Sequence, residues 1–181
     1  MNRAAALLAV LLLTGCSGGG DPAPEDGPVP VPVPTVTSAA VLAACSELSR
    51  TLPETIGAGL TRRPVTGDPI RTYAWGDPAV TLECGGEPAG TSGPDGEQFG
   101  LGTLEGQCMS FLRRDTGDGN VFATYQRLTT VRVVVPDAYD SQVVQDLVAA
   151  LDRALPEEPA VIAARAAGDM SIGCQRFTEV Q

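Results

Sequence analysis

Four carboxylates near the middle of the chain have the residue types needed for acid/base chemistry. They flank a glycine-rich loop and are Glu83, Glu87, Asp95 and Glu97. Glycoside hydrolysis requires two carboxyl groups at a fixed separation across a cleft, and a sequence does not reveal that separation. Because the chain has 22 acidic residues, neighbouring carboxylates are also expected by chance. A small carboxylate-dependent hydrolase acting on cell-wall glycan is therefore the alternative hypothesis for the function.

Most other catalytic groups are missing from the sequence. The chain has no histidine, and all 12 of its basic residues are arginines. It therefore cannot build histidine-based triads, histidine metal sites, Schiff-base lysines or P-loop lysines. We expect a protein that is not an enzyme and that uses no cofactor and no metal.

The cysteines predict structural disulfides. Four of the five follow the first 16 residues: Cys45, Cys84, Cys108 and Cys174. An even number of cysteines outside the cytoplasm predicts two disulfides, for which three pairings exist. Cys45 and Cys84 each lie on the predicted apolar face of their element, which favours the pair Cys45–Cys84 and leaves Cys108–Cys174. The spacings contain no Cys-x-x-Cys motif of the kind that carries redox chemistry.

The remaining cysteine, Cys16, lies in a different setting. A ten-residue apolar run from Ala4 to Leu13 is followed directly by Thr14, Gly15 and Cys16. This arrangement resembles the lipobox of bacterial lipoproteins, in which a leader is removed and the cysteine is acylated. The run is too short to span a bilayer, which needs about 20 apolar residues. We expect residues 1–15 to be a signal peptide, and lipid on Cys16 to anchor the protein at the extracytoplasmic face of the cell membrane.

Charge narrows the choice of partners. The formal net charge is −10. Nucleic acid is excluded as an expected partner because its phosphates require a basic surface. The expected partners are the membrane, reached through the lipid on Cys16, and an envelope protein or cell-wall component.

The next segment, residues 16–37, has the composition of a linker. Gly18–Gly20 is flexible, and prolines alternate with valines from Pro28 to Pro34. Each proline fixes its own φ and pushes the preceding residue out of the helical region, which predicts a polyproline II spacer. We expect a single globular domain to follow over residues 38–181.

Periodicity predicts the elements of this domain. Helical spacing of apolar residues predicts one helix from Ser38 to about Leu52 and a second from about Tyr139 to Leu155. Short alternating segments between them predict strands. The fold class is α+β, with an antiparallel sheet of about four to six strands and the N-terminal and C-terminal helices packed on one face. Residues 157–181 are ambiguous, with a short helix one option for 160–167.

Two aromatic residues are candidates for recognition. Tyr73 and Trp75 alternate on one predicted strand and precede Gly76-Asp77-Pro78. The chain has only eight aromatic residues, so an exposed pair could form a binding patch. Buried, the same two rings would be core packing, and this second interpretation is favoured.

Several segments resemble a known family. They are Ala44-Cys45, Leu52-Pro53-Glu54, Arg62-Arg63-Pro64-Val65, Ala74-Trp75-Gly76-Asp77-Pro78, Leu82-Glu83-Cys84-Gly85, and Val133-Val134-Val135-Pro136 with Tyr139. In this order they resemble an actinobacterial lipoprotein family of unknown function, over about residues 40–155. The resemblance implies an envelope lipoprotein, a small α+β domain and a Cys45–Cys84 pair, and it carries no catalytic residues.

The chain departs from that family between about Gly86 and Asn120. Cys108, Cys174 and the tail after Leu155 also look like additions. The expected function is that of a membrane-anchored, non-enzymatic binding or accessory domain of the cell envelope.

Overall fold

The computed structural model describes residues 27–86, 97–102 and 106–168. The helices are α1 (Ala39–Thr51), a 3-10 helix (Ser141–Leu147), α2 (Val148–Ala154) and α3 (Pro159–Ala166). The strands are β1 (Thr55–Ile56), β2 (Leu60–Arg63), β3 (Thr72–Trp75), β4 (Val80–Gly86), β5 (Glu97–Gly102), β6 (Cys108–Asp115), β7 (Gly119–Tyr125) and β8 (Thr130–Pro136).

These strands form one antiparallel sheet in the order β1-β2-β3-β4-β8-β7-β6-β5. The predicted α+β class is confirmed. The predicted number of four to six strands is wrong, because the described residues contain eight. Strand β1 has two residues, too few for an alternating pattern, and it exists only because Thr55 and Ile56 pair with Thr61 and Leu60 of β2.

The first helix forms for the reasons that the sequence indicates. The side chain of Ser38 accepts a hydrogen bond from the main-chain nitrogen of Val41 at 3.3 Å, which caps the first turn. Its buried residues are Val41, Ala44, Cys45 and Leu48. Helix α1 contacts β4 and α2, and one hydrophobic core joins both helices to the sheet.

A disulfide joins α1 to β4. Cys45 and Cys84 are bonded, with 5.7 Å between their Cα atoms, and are 39 positions apart in the chain. Both residues have no exposed surface. The predicted pair Cys45–Cys84 is therefore confirmed, and the bond lies inside the core.

The second predicted helix divides into two parts. The 3-10 helix begins after Asp140, whose side chain accepts a hydrogen bond from the nitrogen of Gln142 at 2.9 Å. It continues directly into α2, which ends at Ala154. The apolar stripe still reaches the core, since Val143, Val144 and Leu147 are buried. The tighter 3-10 winding leaves the pattern of burial intact, which is why apolar spacing alone did not distinguish the two helix types.

The proline-valine segment is bound to the domain. We call residues 28–36 the Pro-Val strap. The nitrogen of Val29 donates to the carbonyl of Pro64 at 2.8 Å, and the nitrogen of Thr66 donates to the carbonyl of Val29 at 3.0 Å. Val31 is also buried. This part of the predicted spacer over residues 16–37 is therefore not free, and the packed body of the domain begins before residue 38.

One arginine holds the far end of the strap. Arg71 Nη1 donates to the carbonyl of Pro34 at 2.9 Å and to that of Val36 at 3.0 Å. Polyproline II backbone makes no internal hydrogen bonds, so its carbonyls are available to such a donor. The guanidinium is itself positioned by Asp68, whose Oδ2 lies 3.0 Å from Arg71 Nε.

Candidate functional site

A cavity of about 960 Å³ lies where the β1–β2 turn meets the segment that begins the 3-10 helix. Apolar side chains form much of its wall, among them Leu60, Leu101, Phe122 and Val143. Its size is that of a small-molecule pocket, and an apolar wall with a few polar groups is the usual composition of such sites. We take this cavity as the candidate functional site.

A glycine makes one side of the cavity possible. Gly57 has φ +54°, and a Cβ added there would lie 2.9 Å from Val143 Cγ1. Its nitrogen donates to Asp146 Oδ2 at 2.6 Å. A larger residue could not adopt this backbone without strain or approach Val143 so closely. The turn is therefore bonded to the 3-10 helix, and both segments line the cavity.

The Trp75–Pro78 segment supports the adjoining wall. Trp75 is fully buried, and its indole nitrogen donates to the carbonyl of Pro53 at 3.0 Å. A Cβ at Gly76 would lie 2.9 Å from Leu60 Cδ2 and 3.1 Å from the Tyr139 hydroxyl. Leu60 and Tyr139 both line the cavity, so this segment packs behind the wall.

Four polar side chains of the wall have partners within the domain. Arg113 Nη2 lies 2.9 Å from a carboxylate oxygen of Glu97, its register partner on β5. Gln145 donates from its side chain to the carbonyl of Gly102. Asp140 and Asp146 each accept a main-chain hydrogen bond, as described above. These bonds fix the shape of the wall before any ligand is present.

The predicted carboxylate cluster is not brought together by the fold. Glu83 lies on β4 and Glu97 on β5, with β8, β7 and β6 between them. At about 4.8 Å per strand this places the two strands roughly 19 Å apart. Glu87 and Asp95 lie outside the described residues.

The two described carboxylates also lie on opposite faces of the sheet. Residues paired across neighbouring strands lie on the same face of the sheet. Glu83 pairs in this way, strand by strand, with Arg132, Ala123, Leu112 and finally Gln98, which is the neighbour of Glu97. Successive residues of a strand point to opposite faces. Burial raises the pKa of Glu83, while Arg132, whose Nη1 lies 3.7 Å from its carboxylate, opposes that rise. Glu83 and Glu97 cannot serve as one catalytic pair.

Tyr73 and Trp75 do not form the exposed patch that a recognition role requires. Tyr73 is 5 % exposed and Trp75 has no exposed surface, and both belong to the core. The Arg62 guanidinium carbon lies 5.3 Å from the centre of the Tyr73 ring and 5.6 Å from that of Trp75. Burial raises the pKa of Tyr73 to about 12. Both rings therefore pack in the core, which is the interpretation that the sequence favours.

The other predicted sites fall partly outside the described residues. Cys16 and Cys174 lie there, so lipidation at Cys16 stays a prediction. Cys108 is disulfide-bonded, and its pairing with Cys174 also stays a prediction. Among the described residues there is no group of three potential metal ligands of the His, Cys, Asp or Glu types. No helix in the described part has the length and apolar character needed to cross a membrane.

Sequence reasoning did not find the cavity. Its two main segments are distant in the chain, and its apolar residues look like ordinary core residues when read in sequence. The available signal was the pair Gly57 and Gly59 in a short turn, which indicates unusual backbone but not what packs against it.

The family model described as Protein of unknown function (DUF3515) matches residues 4–160. The matched range contains the strap, the sheet and every residue that lines the cavity. A search of curated proteins and a search of solved structures each found no significant match.

Proposed function

Because the chain belongs to this family of proteins of unknown function, we infer its function from its own structure and propose that it is a binding domain of the cell envelope. The cavity between the β1–β2 turn and the 3-10 helix is its ligand site. The domain is anchored through lipid on Cys16 at the extracytoplasmic face of the membrane, as in an actinobacterial lipoprotein. It acts by binding and does not catalyse a reaction.

The cavity is the observation that carries this proposal. Its wall is held by hydrogen bonds and close packing at Gly57 and Gly76, so it is formed in advance of any ligand. A site formed in advance loses little entropy on binding. Of the four carboxylates that the sequence offered for catalysis, the two that the structure describes, Glu83 and Glu97, lie on strands separated by three others and on opposite faces of the sheet, which favours binding over hydrolysis.

Two features support the anchored location. The Leu13-Thr14-Gly15-Cys16 segment has the lipobox pattern directly after an apolar run. The buried Cys45–Cys84 disulfide fits an oxidising compartment, because the cytosol keeps thiols reduced. Metabolic labelling with an alkyne fatty acid tests the anchor. We expect the parent chain to be labelled and Cys16→Ser to be unlabelled, and equal labelling of the two would contradict the anchor.

Photo-crosslinking in intact cells tests the cavity as a binding site. Gln142 is exposed and lines the cavity, whereas Ile162 on α3 is exposed and lies outside it. A benzophenone amino acid placed at position 142 should give adducts that are absent when the same group is at position 162. The same adducts from both positions, or none from position 142, would contradict a site in the cavity.

Hydrolysis remains the second candidate because two other carboxylates, Asp140 and Asp146, both line the cavity. In this alternative, the folded parent protein releases soluble sugar from purified cell-wall sacculi, and Asp140→Asn with Asp146→Asn abolishes the release. The binding proposal expects no release by the parent protein.

A further inference from the structure

The chain that leads to the proposed anchor enters the domain beside the cavity. Gly27 is the first described residue, and its carbonyl accepts a hydrogen bond from Arg63 Nη2 at 3.1 Å. The same guanidinium donates from Nη1 to the carbonyl of Gly76 at 3.2 Å. Gly76 in turn packs against Leu60 and Tyr139 of the cavity wall. One arginine therefore connects the entry point of the chain to the back of the cavity.

This entry point is fixed by the strap. Because residues 28–36 are bonded to the domain by Val29 and by Arg71, only residues 17–26 separate the entry point from Cys16. A fully extended chain spans at most about 3.6 Å per residue, so Gly27 lies within about 40 Å of an anchored Cys16. With Cys16 anchored, this limit lets the end of the domain that carries Gly27 and Arg63 reach the bilayer surface.

The chemistry of the wall favours an apolar occupant. A peptide bound there would bring main-chain donors and acceptors that need partners. The nitrogens of Gly57 and Gln142 are already bonded to Asp146 and Asp140, and the side chain of Gln145 is bonded to Gly102. A hydrocarbon chain needs no such partners and matches the Leu, Val and Phe side chains of the wall.

From these observations, and on the premise of the anchored binding domain proposed above, we propose that the cavity takes the acyl chain of a lipid drawn from the membrane that holds the protein. The polar headgroup stays at the rim, near the carboxylates of Asp140 and Asp146 and the Arg113–Glu97 pair. The short tether keeps the cavity within reach of its ligand.

A lipid-extraction assay tests this inference. The complete mature chain carrying Cys16→Ser, which cannot be acylated, is mixed with phosphatidylcholine vesicles that contain pyrene-labelled phosphatidylcholine, whose headgroup has no net charge to be repelled by Asp140 and Asp146. Removal of labelled lipid converts pyrene excimer emission to monomer emission. We expect saturable extraction that approaches one lipid per protein.

Filling the cavity provides the matched comparison. Ala58 and Ala138 are exposed and line the cavity, and Ala160 is an exposed alanine of α3 outside it. Ala58→Trp and Ala138→Trp should each reduce extraction at least tenfold, whereas Ala160→Trp should leave it within twofold of the parent. Thermal unfolding measured for all three variants shows whether each is folded. If only one cavity variant is folded, that variant decides the comparison.

The possible failures have different meanings. No extraction by the parent, or equal extraction by folded cavity variants, overturns the lipid inference. If crosslinks from position 142 then join the cavity to a protein, the binding function stands and its ligand is not a lipid. If Cys16 is not labelled by the fatty acid, the anchor fails, and with it the membrane as the source of the ligand.

Discussion

The main-chain nitrogen of Gly57 lies 2.6 Å from Oδ2 of Asp146, although the two residues are 89 positions apart in the chain. This bond joins the β1–β2 turn to the 3-10 helix, and both residues line the cavity. The close approach depends on the absence of a side chain at position 57, so the shape of the site can be tested there.

Gly57→Ala should lower the free energy of unfolding by about 1–3 kcal/mol, because the left-handed backbone and the contact with Val143 both oppose a Cβ. Gly117→Ala is the control, since Gly117, in the β6–β7 turn, also has a positive φ of +83° and no atom within 4 Å of an added Cβ. Urea denaturation of both variants measures the difference. Equal losses would mean that backbone strain accounts for the effect and that the Val143 contact contributes nothing.

Replacing both Cys45 and Cys84 by alanine should lower the free energy of unfolding by about 4 kcal/mol. Loss of a cross-link that closes a 39-position loop increases the entropy of the unfolded chain, which stabilises the unfolded state by roughly this free energy. The measurement is urea denaturation of the parent and the double variant without reductant. A loss below about 1 kcal/mol would show that the bond does not constrain the unfolded chain as expected.

Arg71→Gln should release the strap and lower the free energy of unfolding by about 1–3 kcal/mol, since it removes the donor to the carbonyls of Pro34 and Val36. Limited proteolysis should then cut within residues 28–36 before the rest of the domain. The control is Arg50→Gln, which breaks an exposed ion pair with Glu47 and should cost less than about 1 kcal/mol. Unchanged protection of the strap in Arg71→Gln would contradict its role as a clamp.

Glu83→Gln should reduce the loss of stability that the parent undergoes as the pH rises above about 4.5. The folded pKa of Glu83 is raised above its ordinary value of 4.5, chiefly by burial. The stability that this residue contributes is therefore complete below about pH 4.5 and is lost as the pH rises through the folded pKa. We expect Glu83→Gln to be at least as stable as the parent at pH 7, with no such advantage at pH 4. Thermal unfolding of both proteins between pH 4 and pH 7 measures this difference. A variant that is less stable than the parent at pH 7 but equally stable at pH 4 would contradict a raised pKa of Glu83.

Asp68→Asn should have the opposite pH dependence. Hydrogen bonds from the nitrogen of Ile70 and then from the Arg71 side chain lower the pKa of Asp68 below its ordinary value of 3.8. Its contribution is therefore present above about pH 4 and is lost as the pH falls through the folded pKa. The variant should unfold at a lower temperature than the parent at pH 7, and the gap should narrow on acidification below pH 4. A gap that is constant with pH would mean that the charge is not involved.

Local sequence was sufficient for the elements whose side chains follow a clear period. Ser38 and the spacing of Val41, Cys45 and Leu48 predict α1, and the alternation of Val80, Leu82 and Cys84 predicts β4. The Cys45–Cys84 pair follows from these two patterns, because each places its cysteine on an apolar face. Strand β1 and the 3-10 helix were missed because a two-residue strand has no period and both helix types bury the same stripe.

The sequence by itself determined the α+β class, the first helix, the central strands, the buried disulfide and the absence of histidine and lysine chemistry. Only the tertiary structure decided that Tyr73 and Trp75 are covered, that Arg71 binds a strap more than 30 positions away, and that a cavity forms at Gly57. The physical reason is the range of the interactions. Periodicity reports which side chains share a face, whereas burial and cavity shape depend on segments that meet only after the chain has folded.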